Sequence, residues 1–139
     1  MMRCETVMTP DPITCRANEL VVSAAHRMGM AEVGALPVVD AEGRFLVGML
    51  TDRDLAVRVR ARGLDPWTTT VEDVMTPDVV ACAPGDDLCE AMVRMEEREV
   101  QRLPIVDDGG RLLGILTKDD LTLRVAAYAE FLDEVHAED

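Results

Sequence analysis

Leu36-Pro37-Val38-Val39-Asp40 returns 67 residues later as Leu103-Pro104-Ile105-Val106-Asp107, and this recurrence decides the fold. Towards the N-terminus the same spacing relates Val7-Met8-Thr9-Pro10-Asp11 to Val74-Met75-Thr76-Pro77-Asp78. It also relates Cys15 to Cys82, Arg27-Met28 to Arg94-Met95, Glu32-Val33 to Glu99-Val100, and Gly43-Arg44 to Gly110-Arg111. The second copy then lacks a counterpart of Val47, and the spacing becomes 66. Gly48-Met49-Leu50-Thr51 matches Gly114-Ile115-Leu116-Thr117, and Asp54-Leu55 matches Asp120-Leu121. Self-similarity at a fixed period means one structural unit used twice.

Within the unit, Pro12 to Arg16 reads as a short extended piece. A helix is expected from Glu19 to Ala31, capped by Asn18, with Leu20, Ala24, Ala25 and Met28 at helical spacing. Leu36 to Val39 reads as a buried strand. Asp40-Ala41-Glu42-Gly43 has turn chemistry, and Arg44 to Leu50 completes the hairpin. A second helix starts at Thr51 and runs to Arg62, stopped by Gly63. The predicted class is therefore α/β, with two tandem β-α-β-β-α repeats packed as a pseudo-twofold pair with two equivalent clefts. Repeat 1 is expected over 1–64. The linker and repeat 2 occupy 65–139, with Trp67 packed onto the core and a longer last helix from Lys118 to Val135. The extra turns, with Tyr128, Phe131 and Leu132, read as amphipathic.

Composition narrows the function. Apolar residues are 48% of the 139, enough for a core, but aromatics are 3%, so aliphatic and Met side chains must fill it. The net charge of −13 opposes sequence-independent nucleic-acid binding and docking on an anionic membrane. Residues 1–66 hold eight basic and nine acidic side chains, residues 67–139 six and eighteen. An anionic ligand should prefer the first half. No apolar run is long enough for a membrane helix, Met1 to Pro10 has no signal-peptide core, and a cytoplasmic protein is expected. Cys15, Cys82 and Cys89 are expected as small buried side chains. Cys4 completes the four, none in a C-x-x-C pair. His26 and His136 stand at no metal-ligand spacing, so no metal site is expected.

No nucleophile elbow, phosphate-binding loop or general base with a nucleophile is present, so no enzyme is expected. What remains is T-x-x-D at each strand-to-helix junction, Thr51-Asp52-Arg53-Asp54 and Thr117-Lys118-Asp119-Asp120. This pattern is a helix-capping device in its own right. A helix start also favours anions, and an ionised carboxylate can accept both hydroxyls of a ribose diol.

The combination of V-M-T-P, G-A-L-P-V-V-D and G-M-L-T-D-R-D-L, with its repetition, resembles a CBS-domain pair, or Bateman module, over residues 5–130. It is similar to small stand-alone bacterial pairs of the hypoxia-response type. The resemblance implies adenosine-type ligands. Asp54 and Asp120 would hold the ribose, and Thr51 and Thr117 would lie near phosphate or ribose. Arg53 and Asp119 would face the ligand. Ile13, Gly34 and Ala35, with Val80, Gln101 and Arg102, would surround the base. No cofactor is required; an adenine nucleotide is the regulatory ligand, and a homodimer and a separate effector protein are implied. The alternative is a stress-related structural or protein-interaction module with unoccupied clefts. Arg53 beside Asp54 favours phosphate there, whereas Asp119 beside Asp120 favours a less anionic adenosine compound or an empty cleft.

Overall fold

The computed structural model describes residues 2–123. In chain order the elements are α1 (Cys4–Val7), β1 (Thr9–Pro10), β2 (Cys15–Arg16), α2 (Val21–Ala31), β3 (Ala35–Val39) and β4 (Leu46–Thr51). Next come α3 (Asp52–Asp54), continuing as a π-helical stretch over Leu55–Arg60, then α4 (Val71–Val74), α5 (Leu88–Arg98), β5 (Arg102–Val106) and β6 (Leu112–Thr117). The backbone is helical again over 118–123. The expected turns at Tyr128, Phe131 and Leu132 lie outside the described residues.

The chain forms two compact units that do not follow linear order. One comprises 11–79 and 108–112 and contains Asp54. The other comprises 1–10, 80–107 and the chain from 113, and contains Asp120. In the Asp54 unit, β2 runs parallel to β3 and β3 antiparallel to β4, with Ala35 opposite Thr51. Thr76 bridges to Met49 on β4, each N–H donating to the other's carbonyl at 2.9 Å. In the Asp120 unit the strand order is β1-β6-β5, with Thr9 opposite Ile115. Cys82 bridges to Ile105 as Cys15 pairs with Val38. The two registers are the same register under the repeat spacing.

That register explains the V-M-T-P motif. Each copy lies against the strand that carries G-h-L-T (h apolar), where the backbones approach closely. A Cβ on Gly48 would stand 2.8 Å from the Thr76 carbonyl oxygen, and one on Gly114 would stand 2.8 Å from that of Thr9. Only glycine leaves room for such contact.

The cores obey the same equivalence. Cys15, Val21, Ala24, Met28, Leu36, Val38, Leu50, Val71 and Val74 are buried in one. Cys82, Leu88, Ala91, Met95, Leu103, Ile105, Leu116, Cys4 and Val7 take the matching places in the other. Fully burying one such aliphatic side chain contributes roughly 1.5–3 kcal/mol.

Several sequence expectations are corrected. The helix α2 begins at Val21, and Asn18 does not cap it; Leu20 is the N-cap residue and lends no side-chain bond. The orphan N–H groups of Val21 and Val22 instead donate to the linker carbonyls of Thr69 at 2.8 Å and Pro66 at 3.0 Å. The buried positions are Val21, Ala24 and Met28, one residue out of phase at the start, and Leu20 is exposed. Trp67 is 70% exposed and does not plug the core. The linker docks through its backbone, and the Trp67 N–H is turned onto Asp65 Oδ1 at 2.9 Å. Cys89 is exposed, because Leu88, Ala91 and Met95 define the inward face of α5. Gly43 and Gly63 do take positive φ, 80° and 67°, at the turn and past the helix end as expected.

Candidate functional site

Each T-x-x-D begins where an apolar strand hands over to a helix. In the Asp54 unit, Thr51 keeps extended backbone as the N-cap of α3. Its Oγ1 accepts from the Asp54 N–H at 3.1 Å, and its own N–H donates to Asp54 Oδ2 at 3.0 Å. This is a reciprocal capping box, each side chain satisfying one orphan donor. The Asp52 N–H donates to the Gly34 carbonyl at 3.0 Å. With Ala35 opposite Thr51 in the sheet, the structure brings Gly34, Ala35, Thr51 and Asp54 together. The parallel register of β2 and β3 carries Ile13 towards this end of β3, and Ile13 is 51% exposed. Arg53 is exposed beside the buried Asp54.

Asp54 is 6% exposed, the sole buried charged residue among those described. Two further groups hold it. The Thr76 hydroxyl donates to Asp54 Oδ1 at 3.1 Å and approaches Oδ2 at 3.4 Å. Arg58 Nε lies 3.8 Å from Oδ1, while its Nη1 donates to the carbonyls of Val74 at 3.2 Å and Met75 at 2.6 Å. Arg58 thus ties the end of α4 to the carboxylate. Sequence reasoning missed Thr76 and Arg58. The signal for Thr76 was present, since V-M-T-P is duplicated along with T-x-x-D.

Among the described residues the Asp120 unit repeats part of this arrangement. Thr117 Oγ1 accepts from the Asp120 N–H at 3.1 Å, and the Lys118 N–H donates to the Gln101 carbonyl at 2.8 Å. Gln101 therefore adjoins the helix start as Gly34 does, with Arg102 next to it opening β5. Val80 is partly buried against the core of this unit, two residues before Cys82 as Ile13 stands before Cys15. Asp119 is exposed and Asp120 half-buried. Among the described residues no bond joins the Asp120 carboxylate to the Thr117 N–H or to Thr9. Among the described residues the carboxylate of Asp54 is thus clamped by its surroundings, and that of Asp120 has fewer partners.

The chemistry available is that of two carboxyl groups at helix starts, each beside the ends of apolar strands. Among the described residues no three His, Cys, Asp or Glu side chains are grouped to hold a metal ion. No helix of the described residues is long and apolar enough to cross a membrane.

The CBS domain family matches residues 4–60 and again residues 71–127. Hypoxic response protein 1 of Mycobacterium tuberculosis (strain H37Rv) is 34% identical over 118 residues, spanning 84% of this chain and 81% of that protein. The crystal structure of CBSX2 in complex with AMP matches with a TM-score of 0.80 at 29% identity, covering 94% of this chain and 99% of that one. The CBS domain pair of protein MJ0100, in complex with 5'-methylthioadenosine and S-adenosyl-L-methionine, matches at 0.79 and 26% identity over 92% of this chain and 98% of that one. The family covers both halves of the duplication, and its fold, α/β with helices on small sheets, is the one described above. This chain belongs to the CBS domain family and carries two CBS domains in tandem.

Proposed function

We propose that this chain is a regulatory module that binds adenosine-containing ligands at its two T-x-x-D helix starts. It acts in the cytoplasm as a homodimer and signals through a separate effector protein. The observation that carries this is the duplicated carboxylate at a helix start, in a chain similar over nine-tenths of its length to a structure holding AMP. Asp54 and Asp120 accept the ribose hydroxyls, with Thr51 and Thr117 beside them. The base lies against Ile13, Gly34 and Ala35, with Val80, Gln101 and Arg102. Arg53 makes the Asp54 site the better one for phosphate. Asp119 turns the Asp120 site towards a less anionic adenosine compound, because like charges repel.

The test is a thermal-shift panel of AMP, ADP, ATP, NAD and S-adenosylmethionine on the full chain and on Asp54→Ala and Asp120→Ala. A ligand at 100 times its Kd adds about 2.7 kcal/mol, roughly 5–12 °C in Tm for a chain of this size. AMP should lose more affinity in Asp54→Ala than in Asp120→Ala, and equal losses overturn the ranking.

One observation favours a second reading, a structural or interaction module that binds no nucleotide. The Asp54 carboxylate already has Thr51, Thr76 and Arg58 as partners. Absence of a shift from all five compounds selects that reading.

A further inference from the structure

Cys4 and Cys82 are 78 residues apart in sequence yet lie in one core, that of the Asp120 unit, 0% and 2% exposed. Both belong to the same buried core cluster, where each thiol perturbs the other's ionisation. The backbone anchors each of them: the Cys4 N–H donates to the Asp86 carbonyl at 2.9 Å, and Cys82 bridges to Ile105 on β5. Arg94 closes a ring around them, its Nη1 reaching Cys82 Sγ at 3.2 Å and Asp86 Oδ2 at 3.2 Å.

The other repeat supplies an internal control. There Val71 stands where Cys4 does and Cys15 where Cys82 does, and the core packs as well. Arg27, the counterpart of Arg94, bonds the Thr14 carbonyl and Glu19 and makes no bond to Cys15 sulfur among the described residues. Burial pushes the Cys15 thiol up to about 12. Packing alone therefore requires neither a second thiol nor a guanidinium on the sulfur. The neighbouring Cys4 thiol and the guanidinium of Arg94, 3.2 Å from the sulfur, lower the Cys82 thiol and favour its thiolate over that of Cys15.

We propose that Cys4 and Cys82 are a reversible oxidation site at which peroxide forms a disulfide joining the N-terminal segment to the second repeat. Cys82 thiolate attacks one peroxide oxygen, breaking the O–O bond to give Cys82 sulfenic acid and hydroxide. The Cys4 sulfur then attacks the Cys82 sulfur, expelling the sulfenic oxygen as hydroxide. The two protons released by the thiols convert both hydroxides to water. Two thiols are oxidised, one peroxide is reduced to two waters, and a dithiol reductant restores the thiols by exchange. The bond would anchor β1, whose Thr9 pairs with β6 ahead of Thr117.

The experiment treats the folded full chain with hydrogen peroxide and counts thiols under denaturing conditions by maleimide mass tagging, followed by non-reduced peptide mapping. Wild type should fall from four free thiols to two, with Cys4 and Cys82 in one linked peptide, and dithiothreitol should restore four. Cys15→Val and Cys89→Ser should keep that link. Cys4→Val, which copies the packing at Val71, should lose it while retaining the circular dichroism of wild type. The oxidised chain should also unfold at higher urea than the reduced one, since a cross-link constrains the unfolded chain. A folded wild type that keeps Cys4 and Cys82 unlinked while Cys89 oxidises would overturn the proposal. So would an undiminished two-thiol loss within the Cys4→Val monomer.

Discussion

Replacing Thr76 with Val removes one hydroxyl and keeps the shape of the side chain, so it isolates the bond to Asp54. The acceptor is a carboxylate that is 6% exposed. The bond is split between two oxygens at 3.1 and 3.4 Å. Hydrogen bonds to charged groups contribute about 1.5–3 kcal/mol. The longer second contact and the half-buried position of Thr76 put this one at the low end. Asp54 also keeps the Thr51 N–H at 3.0 Å and Arg58 at 3.8 Å, so it is not left orphaned. The expected loss is about 1.5 kcal/mol, roughly 5 °C in Tm. The bridge to Met49 uses backbone atoms and survives. Thr76→Ser, which retains the hydroxyl, should recover most of the loss. Thr9→Val should cost at least 1 kcal/mol less than Thr76→Val, roughly the worth of one charged hydrogen bond. The assay is urea unfolding of the four proteins at pH 7, with ΔG from linear extrapolation. Equal losses for Thr76→Val and Thr9→Val would refute the reasoning, because both remove the same hydroxyl from equivalent places.

Two other consequences are measurable in the same way. Gly48→Ala and Gly114→Ala should each destabilise by about 1–3 kcal/mol, since the new Cβ meets backbone carbonyls at 2.8 Å that cannot swing aside. Gly29→Ala on α2 meets nothing within 4 Å and should stabilise by about 0.5–1 kcal/mol; the opposite ordering would show that the close approach is not tight. The N–H groups of Arg44, at 2.8 Å, and Phe45 hold the Asp40 carboxyl below its ordinary range. A depressed folded value adds stability that is complete above the ordinary carboxylate pKa of about 4 and is lost as the pH falls through the folded value. Asp40→Asn should therefore show a shallower acid limb in a stability–pH profile, and parallel profiles for variant and wild type would exclude this source.

The duplication, the hairpin with its Gly43 turn and the helix stop at Gly63 were legible because each rests on local chemistry. T-x-x-D was legible for the same reason, as its four residues cap their own helix. The start of α2 was not, for two physical causes. Leu20, Val21, Val22, Ala24 and Ala25 surround the helix with apolar side chains, so periodicity does not fix the phase. The first N–H groups are met by carbonyls of Pro66 and Thr69, more than forty residues away, so no side-chain cap is needed. The same docking explains Trp67: once the linker backbone is anchored, the indole has no core to fill. The four-residue helices α1 and α4 are too short to show a period. The partners of Asp54 were hidden because Thr76 reaches it through strand pairing, which leaves no trace in local spacing.

The seating of each V-M-T-P segment against the strand carrying G-h-L-T has a consequence for how the gene could be cut. A break at 64/65 follows the duplication, yet it strips Val71 and Val74 from the core they complete and strands Cys4 and Val7 on a fragment that has no use for them. A fragment spanning 11–79 keeps all ten buried residues of its core. The piece that completes a core is thus a circular permutation of the repeat, so cuts at 10/11 and 79/80 respect packing where a cut at 64/65 does not.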